Sequence, residues 1–454
     1  MDRVPCGEIK VMHAYPQELV SFLLERWDEP VAPAEDEGRG MEGLSDRLPD
    51  PPLLERLIST CYQASLMHEE ERPVNFRLIV REPELFVAGE GPPDGLHRLI
   101  FTEPRPFNEY ELQRLSPAAD FYRSLIGVRV DPAKGIQMWG LVHSGPRWMQ
   151  SFYGGKKTAV PLPPSLVLYV TGPGRIAVCR GSVMVASLNG GQINCPSQDI
   201  FTSRWLPDSF ASVRAELLAL HREARGQAKA PWAELDPNFI KTLSQQVVKR
   251  IISNIRNTRH GGTLIYLPQE QAAALCCENR YMTIKYQFTE EEPRQRFRTL
   301  LVAIMNTFAA VCADPVSPQR VIGWRDYAGS KGEELARLDK ALFEVAHLIA
   351  GLAAVDGAVV MSKRHELLGF GAVISGDIDK VETVARALDN EGEQTVLERS
   401  EGVGTRHRAA YRLCHELHDA IAIVVSQDGS VQVVKWHNGI VTFWNQVPTG
   451  VIGF

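Results

Sequence analysis

Closely spaced cysteines are the first feature that the sequence lacks. Its eight cysteines are scattered along the chain, none forms a Cys-X-X-Cys pair, and only Cys276 and Cys277 are adjacent. Zinc sites and disulfide scaffolds show tighter, repeated cysteine spacings. We therefore expect cysteines with structural roles, in a compartment that keeps thiols reduced.

Long apolar runs and an excess of positive charge are also missing. The best apolar stretch, residues 300–313, contains Asn306 and Thr307 and is shorter than the roughly 20 residues of a bilayer-spanning helix. The first residues, MDRVPCGEIK, lack the apolar segment of a signal peptide. The formal net charge of −6 gives no overall basic surface for nucleic acid. We expect a cytoplasmic protein with no membrane segment and no nucleic-acid partner.

The chain has enough apolar sequence for two or more domains. It holds 454 residues, of which 44% are hydrophobic and 23% charged, an ordinary balance for globular proteins. Short β-rich runs bounded by turn residues fill residues 76–193, with one helical insert at 108–127. We predict an α+β, β-rich domain with a mostly antiparallel sheet over residues 1–207, followed by a helical linker at 208–237.

Helices and strands alternate in the second predicted domain, residues 238–454. An amphipathic helix at 238–258 leads into a strand at 263–268, and another helix at 333–353 precedes a further strand. The stretch 376–401 is acidic and irregular, which predicts a surface insertion with one short helix. This alternation predicts an α/β domain with a sheet covered on its faces by helices.

The basic stretch Gly404-Thr405-Arg406-His407-Arg408 directly precedes a helix-favouring run. The first N–H groups of a helix lack intrahelical partners and carry the positive end of its dipole. Two guanidinium groups add planar sets of donors suited to phosphate oxygens. Because cations at this position are unfavourable for the helix itself, the stretch indicates an anion such as a polyphosphate. A solvated basic helix face is the alternative.

Three other stretches offer groups that could bind a nucleotide or a metal ion. Asp356-Gly357-Ala358 lies at a predicted helix-to-strand junction, where the carboxylate could hold a divalent metal or accept a proton. Ser426-Gln427-Asp428 follows a buried strand, where ligands gather in open α/β sheets. At Gly262-Thr263 a flat ring could pack against the backbone. Taken alone, each signal is weak, and a plain turn or strand start is the alternative for each stretch.

In this order the stretches resemble the diadenylate cyclase domain. The hallmark motifs of that family, DGA and RHR, appear as Asp356-Gly357-Ala358 and as Arg406-His407-Arg408 within GTRHRAA, and its Ser-Glu-Glu turn resembles Ser426-Gln427-Asp428. The resemblance covers roughly residues 238–454 and implies a mixed sheet flanked by helices. The N-terminal half, with RPFNEYELQRLSPAADFYRSLIGV and MWGLVHSG, looks like the DACNV-type sensor domain found ahead of some cyclase domains.

The resemblance implies a metal-dependent condensation of two ATP molecules into cyclic di-AMP and two pyrophosphates. The reaction would take place across a face-to-face dimer, or a higher homo-oligomer, and the N-terminal domain would regulate it. Asp356 would be the catalytic residue and, with Asp428, would bind Mg²⁺, Mn²⁺ or Co²⁺. The residues implied to bind the nucleotide are small, basic or polar: Gly262, Thr263, Gly357, Ala358, Gly404, Thr405, Arg406, His407, Arg408, Ser426 and Gln427.

Two positions depart from the family pattern. Val355 stands where many members have a histidine that helps to hold the metal, and Gln427 stands where the family has an acid. Insertions are also expected at 269–330 and 376–401. A metal with fewer protein ligands could still be held largely by the triphosphate. A catalytically weak nucleotide-binding sensor and a cyclase with altered nucleotide choice therefore stand as alternatives to an active diadenylate cyclase.

Overall fold

A computed structural model describes most of the chain. The described residues are 13–28, 47–92, 95–131, 134–145, 162–195, 199–258, 260–275, 279–313, 320–330, 332–427 and 429–445. The chain divides into two units, and within these ranges the first unit ends at Cys195 and the second begins at Asp199. None of the helices in these ranges is long and apolar enough to cross a membrane.

The first unit is built around an eight-stranded sheet. The strands of this unit, the first two of which form a separate ribbon, are β1 His68–Glu69, β2 Arg72–Pro73, β3 Phe76–Val80, β4 His97–Pro106, β5 Ser124–Asp131, β6 Gly135–His143, β7 Leu166–Gly172, β8 Arg175–Arg180, β9 Val183–Asn189 and β10 Gln192–Asn194. The order in the sheet is β10-β9-β8-β7-β3-β5-β6-β4, and of the described neighbours only β3 and β5 run parallel. This arrangement confirms the predicted β-rich α+β region with a mostly antiparallel sheet.

Two of the helices in this unit close its hydrophobic core. The helices are α1 Pro16–Arg26, α2 Pro51–Ser65 and α3 Glu109–Leu115. Helices α1 and α2 each have proline in the first turn. Backbone N–H groups at this position have no intrahelical partner, so the absence of one in proline costs no hydrogen bond. Leu19 of α1 and Leu57 of α2 are fully buried in one cluster with Phe76 and Ile126 of the sheet. The core therefore lies between these two helices and one face of the sheet.

The predicted helical insert at 108–127 is wrong over its second half. Asn108 caps α3, its Oδ1 accepting a hydrogen bond from the Glu111 N–H at 2.9 Å, but the helix ends at Leu115. The residues from Ser124 onward form β5, between β3 and β6. Leu125 and Ile126 are fully buried there, so pairing with two distant strands overrides the local helical pattern.

The second unit centres on a nine-stranded mixed sheet. The strands of this unit are β11 Glu234–Leu235, β12 Gly262–Leu267, β13 Met282–Gln287, β14 Val321–Ile322, β15 Ala358–Ser362, β16 Leu367–Ile374, β17 Thr383–Ala387, β18 Thr395–Arg399, β19 Ile421–Val425, β20 Val431–His437 and β21 Ile440–Asn445. Strands β11 and β14 pair with each other, and the rest follow the order β13-β16-β15-β12-β19-β20-β21-β17-β18. Strand β12 runs parallel to β15, and β17 runs parallel to β21. The predicted mixed sheet is confirmed.

Helices cover both faces of this sheet, as predicted. They are α4 Trp205–Asp208, α5 Ala211–Gln227, α6 Phe239–Asn257, α7 Gln269–Leu275, α8 Glu291–Val311, α9 Trp324–Gly329, α10 Glu333–Leu352 and α11 Thr405–Glu416. Leu264 and Tyr266 of β12 pack in one cluster with residues of α6, α8 and α10. Ile265 and Leu267 pack in another with Leu413 of α11. Since side chains alternate along a strand, β12 contributes to both cores.

Residues 199–235 contribute to the core of the second unit. The predicted boundary falls within this segment, with residues up to 207 in the first domain and residues 208–237 as a linker. In the structure Phe201, Trp205 and Leu217 are buried in the same cluster as Leu264. Helices α4 and α5 thus belong by packing with the sheet that follows them in the chain.

Both predicted insertions supply strands of the nine-stranded sheet. Most of the stretch 376–401 forms the antiparallel hairpin of β17 and β18, and the only helix in it is a single 3-10 turn that begins at its end, Ser400–Gly402. Val384 is buried against Val441 and Phe443, which anchors the hairpin at the sheet edge. The other insertion, 269–330, supplies β13 at the opposite edge and the buried helix α8.

Stability should fall in mild acid because of His365. This residue is 3% exposed and adopts a left-handed φ of 63°. Burial, with a smaller contribution from Arg298, lowers its pKa to about 4. Between about pH 6.5 and pH 4, His365 is therefore protonated in the unfolded chain but neutral in the folded chain. As the pH falls through that window, the free energy of unfolding should drop by up to about 3 kcal/mol.

Denaturant unfolding of wild type and His365→Asn between neutral pH and about pH 4.5 tests this expectation. Asparagine tolerates the left-handed backbone, so the variant should keep the fold and lose most of this pH dependence. His347→Asn, at an exposed position of α10, is the matched control and should retain the wild-type slope. Equal slopes for all three proteins would contradict the assignment.

Candidate functional site

Two of the predicted stretches lie side by side at one end of the nine-stranded sheet. Strand β12 runs parallel to β15, with Leu264 opposite Val359. This register places Gly262, the first residue of β12, level with Gly357, which directly precedes β15. Neighbouring strands are about 4.8 Å apart. Asp356, the residue before Gly357, therefore lies close to the start of β12.

The third stretch reaches the same end from the opposite direction. Strand β19 runs antiparallel to β12, and Gly262 pairs with Val425, the last residue of β19. Ser426 therefore follows directly beside the start of β12. It is half-buried, and Gln427 is exposed. The first residues of β12 and β15 and the last residue of β19 thus lie side by side at one end of the sheet, called here the site edge.

Gly261 is the point where this edge meets the basic helix. Its φ is +67°, and a β-carbon there would lie 2.6 Å from the carbonyl oxygen of Val425 and 3.0 Å from Nη1 of Arg406. The same β-carbon would lie 3.1 Å from the carbonyl carbon of Ser426. Only glycine fits both the backbone conformation and the space. The contacts bring Arg406 and Ser426, far apart in sequence, against one residue.

Helix α11 begins at Thr405, and its basic first turn lies at this edge. Gly404 is the N-cap in an extended conformation, and the first turn contains no acidic residue. Nη1 of Arg406 donates to the carbonyl oxygen of His260 at 3.3 Å. Arg406 and His407 are half-buried, whereas Thr405 and Arg408 are exposed. The arrangement combines helix N–H groups that lack intrahelical partners with guanidinium groups, which suits an anion.

The Asp356-Gly357-Ala358 stretch has a distinct structural reason for each residue. Asp356 is exposed in the turn between α10 and β15. Gly357 has φ +113°, and a β-carbon there would lie 2.6 Å from the carbonyl carbon of Gly371. Ala358 is 4% exposed beneath it. Buried Ala358 and the tightly packed Gly357 therefore place the carboxylate of Asp356 at the surface. There it can accept a proton or bind a cation.

Gly262 and Thr263 form the base of the site. A β-carbon on Gly262 would lie 2.9 Å from Cβ of Ala353, and Thr263 is 5% exposed. The space beside Gly262 is thus occupied by Ala353, at the C-terminal end of α10, so this glycine allows close packing of helix on strand. Ala353 and His260 are not predictable from the sequence, because neither belongs to a recognisable motif.

Of the two predicted metal ligands, the structure locates Asp356. Asp428 lies outside the described residues. In the ranges that the structure covers, no three His, Cys, Asp or Glu side chains gather in a group that could hold a metal ion. Binding of a divalent metal stays a prediction, with Asp356 as the residue whose exposed carboxylate fits it.

Two family models match the chain. Residues 44–143 match the family described as "Probable sensor domain DACNV", and residues 344–438 match DAC, described as "DisA bacterial checkpoint controller nucleotide-binding". No match is found among the curated proteins. The predicted resemblance is confirmed over these ranges, since a match to the DACNV sensor family precedes a match to the DAC nucleotide-binding family. The second match contains Asp356, Arg406 and Ser426, whereas Gly262 and Thr263 precede it.

Replacing Gly261 by alanine should destabilise the second unit by about 2–3 kcal/mol. The left-handed conformation accounts for roughly 1–2 kcal/mol of this loss, and the contact with the Val425 carbonyl oxygen for the rest. Gly439→Ala is the control, because Gly439 has φ +84° but no atom within 4 Å of its β-carbon position. Denaturant unfolding measures both losses. Equal losses would show that crowding at Gly261 contributes nothing.

Proposed function

We propose that the protein is a diadenylate cyclase, which condenses two ATP molecules into cyclic di-AMP and two pyrophosphates. The observation that carries the proposal is the meeting of Arg406 and Ser426 at Gly261, beside the strand that follows Asp356. Asp356, Arg406 and Ser426 come from three separate segments of the DAC match. The chemistry that they offer is phosphate binding next to an exposed carboxylate.

The first turn of α11 would bind the phosphates. The exposed side chains of Thr405 and Arg408 and the free N–H groups of the helix would bind triphosphate oxygens. Arg406 is held by the carbonyl oxygen of His260, so its guanidinium is oriented before the nucleotide arrives. Such preorganised positive groups stabilise the charge that develops as pyrophosphate leaves. His407 lies in the same turn and would assist.

Asp356 is the proposed catalytic residue. Its carboxylate would accept the proton of a ribose 3′-hydroxyl as that oxygen forms a bond to the α-phosphorus of the other ATP. The bond from this phosphorus to pyrophosphate breaks in the same step, and the reaction happens twice to close the ring. A divalent metal held by Asp356 and phosphate oxygens would neutralise charge on the leaving group.

A second copy of the chain is part of the proposal. One DAC domain would hold one ATP, and the attacking hydroxyl must come from the nucleotide on the facing domain. We propose a homodimer or higher homo-oligomer in which the two edges formed by β12, β15 and β19 face each other. The DACNV domain would regulate how often they meet.

Mass spectrometry of a reaction of ATP with Mg²⁺, Mn²⁺ or Co²⁺ tests the proposal directly. We expect cyclic di-AMP from wild type and at least a hundredfold less from Asp356→Asn, which loses the proton acceptor. Measured without metal, ATP affinity of the variant should stay within about threefold of wild type, because its phosphate-binding residues are intact. An unchanged rate would remove Asp356 from the mechanism.

The matched control is Asp419→Asn, an exposed acid just before the opposite end of β19. It should react like wild type. If no metal yields a cyclic dinucleotide while ATP still binds, the protein is a nucleotide-binding sensor, as Val355 and Gln427 would favour. A mixture of nucleotides in the same assay shows whether the cyclase prefers another base.

Restoring a histidine at position 355 should strengthen the metal site. Val355 is 40% exposed and directly precedes Asp356, so Val355→His adds an imidazole ligand without disturbing the core. We expect the metal concentration for half-maximal rate to fall about tenfold. Ala354→His, at the exposed neighbouring position, is the control and should leave it unchanged. The same value for Val355→His and wild type would show that position 355 does not reach the metal.

A further inference from the structure

Helix α10 carries an apolar stripe that runs toward the candidate site. Its members recur at alternating intervals of three and four residues and are Leu338, Ala341, Val345, Leu348, Leu352 and Val355, the last in the turn after the helix. Leu348 is 56% exposed and Val355 is 40% exposed. The other four are half-buried at the margin of the core. Apolar residues at this spacing are typical of helices that pack along one another.

The stripe is distinct from the face by which α10 packs within its own unit. That face includes Leu335, Leu342, Ala346 and Ile349, each at most 3% exposed. Around a helix with 3.6 residues per turn, Leu348 lies about 160° from Ala346. Contiguous exposed apolar surface of this kind marks sites of interaction with other molecules. Helix α10 thus has one apolar face for its own core and a second one beside it.

The stripe is complementary to a second copy of itself in the antiparallel orientation. A single register, with the two-fold axis midway between Val345 and Leu348, pairs all of its members at once. The three pairs, each formed twice, are Val345 with the partner's Leu348, Ala341 with the partner's Leu352, and Leu338 with the partner's Val355. Every pair joins a leucine to a smaller side chain, so the layers fill evenly.

Charge favours this orientation over the parallel one. Glu334, seven residues before Ala341, is exposed in line with the stripe. A parallel pair would place the two Glu334 carboxylates opposite each other, and likewise the two Asp356 carboxylates, and it would align the helix dipoles. The antiparallel pair separates these like charges and brings Asp356 level with the partner's Arg337, which is exposed and of opposite charge.

We propose that two copies of the chain associate through this stripe, with their α10 helices antiparallel. The contact is isologous, because the same six positions of both copies form it. At 1.5 Å per residue the paired stripe is about 26 Å long. Asp356 of one copy then lies about 28 Å from the partner's Asp356 along the helix axis. The α10 pair therefore leaves one site edge at each of its ends.

One consequence rests on the proposed cyclase function. Reacting atoms must approach to about 3–3.5 Å, so two nucleotides bound about 28 Å apart do not react with each other. The α10 pair is then a second interface, separate from the face-to-face contact of the site edges. Both contacts together would build the higher homo-oligomer.

Light scattering on the full chain without nucleotide tests the pair. Leu348→Glu places a carboxylate in the two central layers, and the dissociation constant of the pair should rise at least about a hundredfold, which halves the mass measured at about 50 µM. His347→Glu adds the same side chain at the adjacent exposed position, outside the stripe, and should keep the wild-type mass. Circular dichroism checks that both variants retain their helices.

A monomeric wild type at that concentration would overturn the proposal, as would equal masses for wild type and Leu348→Glu. An equal loss of mass in His347→Glu would assign the effect to added charge and would overturn the stripe as the contact. None of these results depends on nucleotide, so a failed cyclase assay leaves them standing.

Disulfide mapping by mass spectrometry tests the orientation. In a mixture of Val345→Cys and Leu348→Cys chains, the antiparallel pair should link position 345 of one chain to position 348 of the other, because the two share a layer. Links of each position to itself would indicate a parallel pair and overturn the arrangement. With ATP and metal, Leu348→Glu should form cyclic di-AMP within about threefold of the wild-type rate. Loss of product while ATP still binds would make the α10 pair the reacting dimer and overturn its antiparallel arrangement.

Discussion

The pairing of β12 with its two neighbours is the constraint on which the candidate site depends. Because β12 is parallel to β15 and antiparallel to β19, its first residue meets the start of one strand and the end of the other. A slip by one residue would exchange the faces of Leu264 and Ile265. Both are fully buried in different cores, so helix packing on the two faces fixes the register, and the register fixes the site.

Helix α11 reconciles a local conflict through packing. Its basic first turn opposes the helix dipole, which typically costs about 0.3–1 kcal/mol at an exposed terminus. Further along, Tyr411, Leu413 and Cys414 are fully buried, and each such side chain contributes on the order of 1.5–3 kcal/mol by leaving water. The free energy gained by burying these side chains therefore exceeds the cost of placing cations at the helix N-terminus. The helix stays stable although its exposed first turn carries side chains that suit an anionic ligand.

Local patterns allowed much of the fold to be predicted, and non-local pairing explains what they missed. The helices predicted at 238–258 and 333–353 are found at Phe239–Asn257 and Glu333–Leu352. Strand β5 and the β17–β18 hairpin were misassigned because pairing with distant strands determines them. The same holds within the site. Arg406 and Asp356 are recognisable in the sequence, but the positions of Ala353 and His260 follow only from the assembled sheet.

On the proposed function, metal binding and nucleotide binding would depend on one another. The protein offers Asp356 for the cation, while Val355 and Gln427 have uncharged side chains. Most ligands would then be phosphate oxygens, which α11 holds in place. By linkage, a nucleotide that supplies these ligands raises the affinity for metal, and the metal raises the affinity for nucleotide by the same factor. A weak protein site and a strong phosphate-binding helix are therefore compatible with turnover.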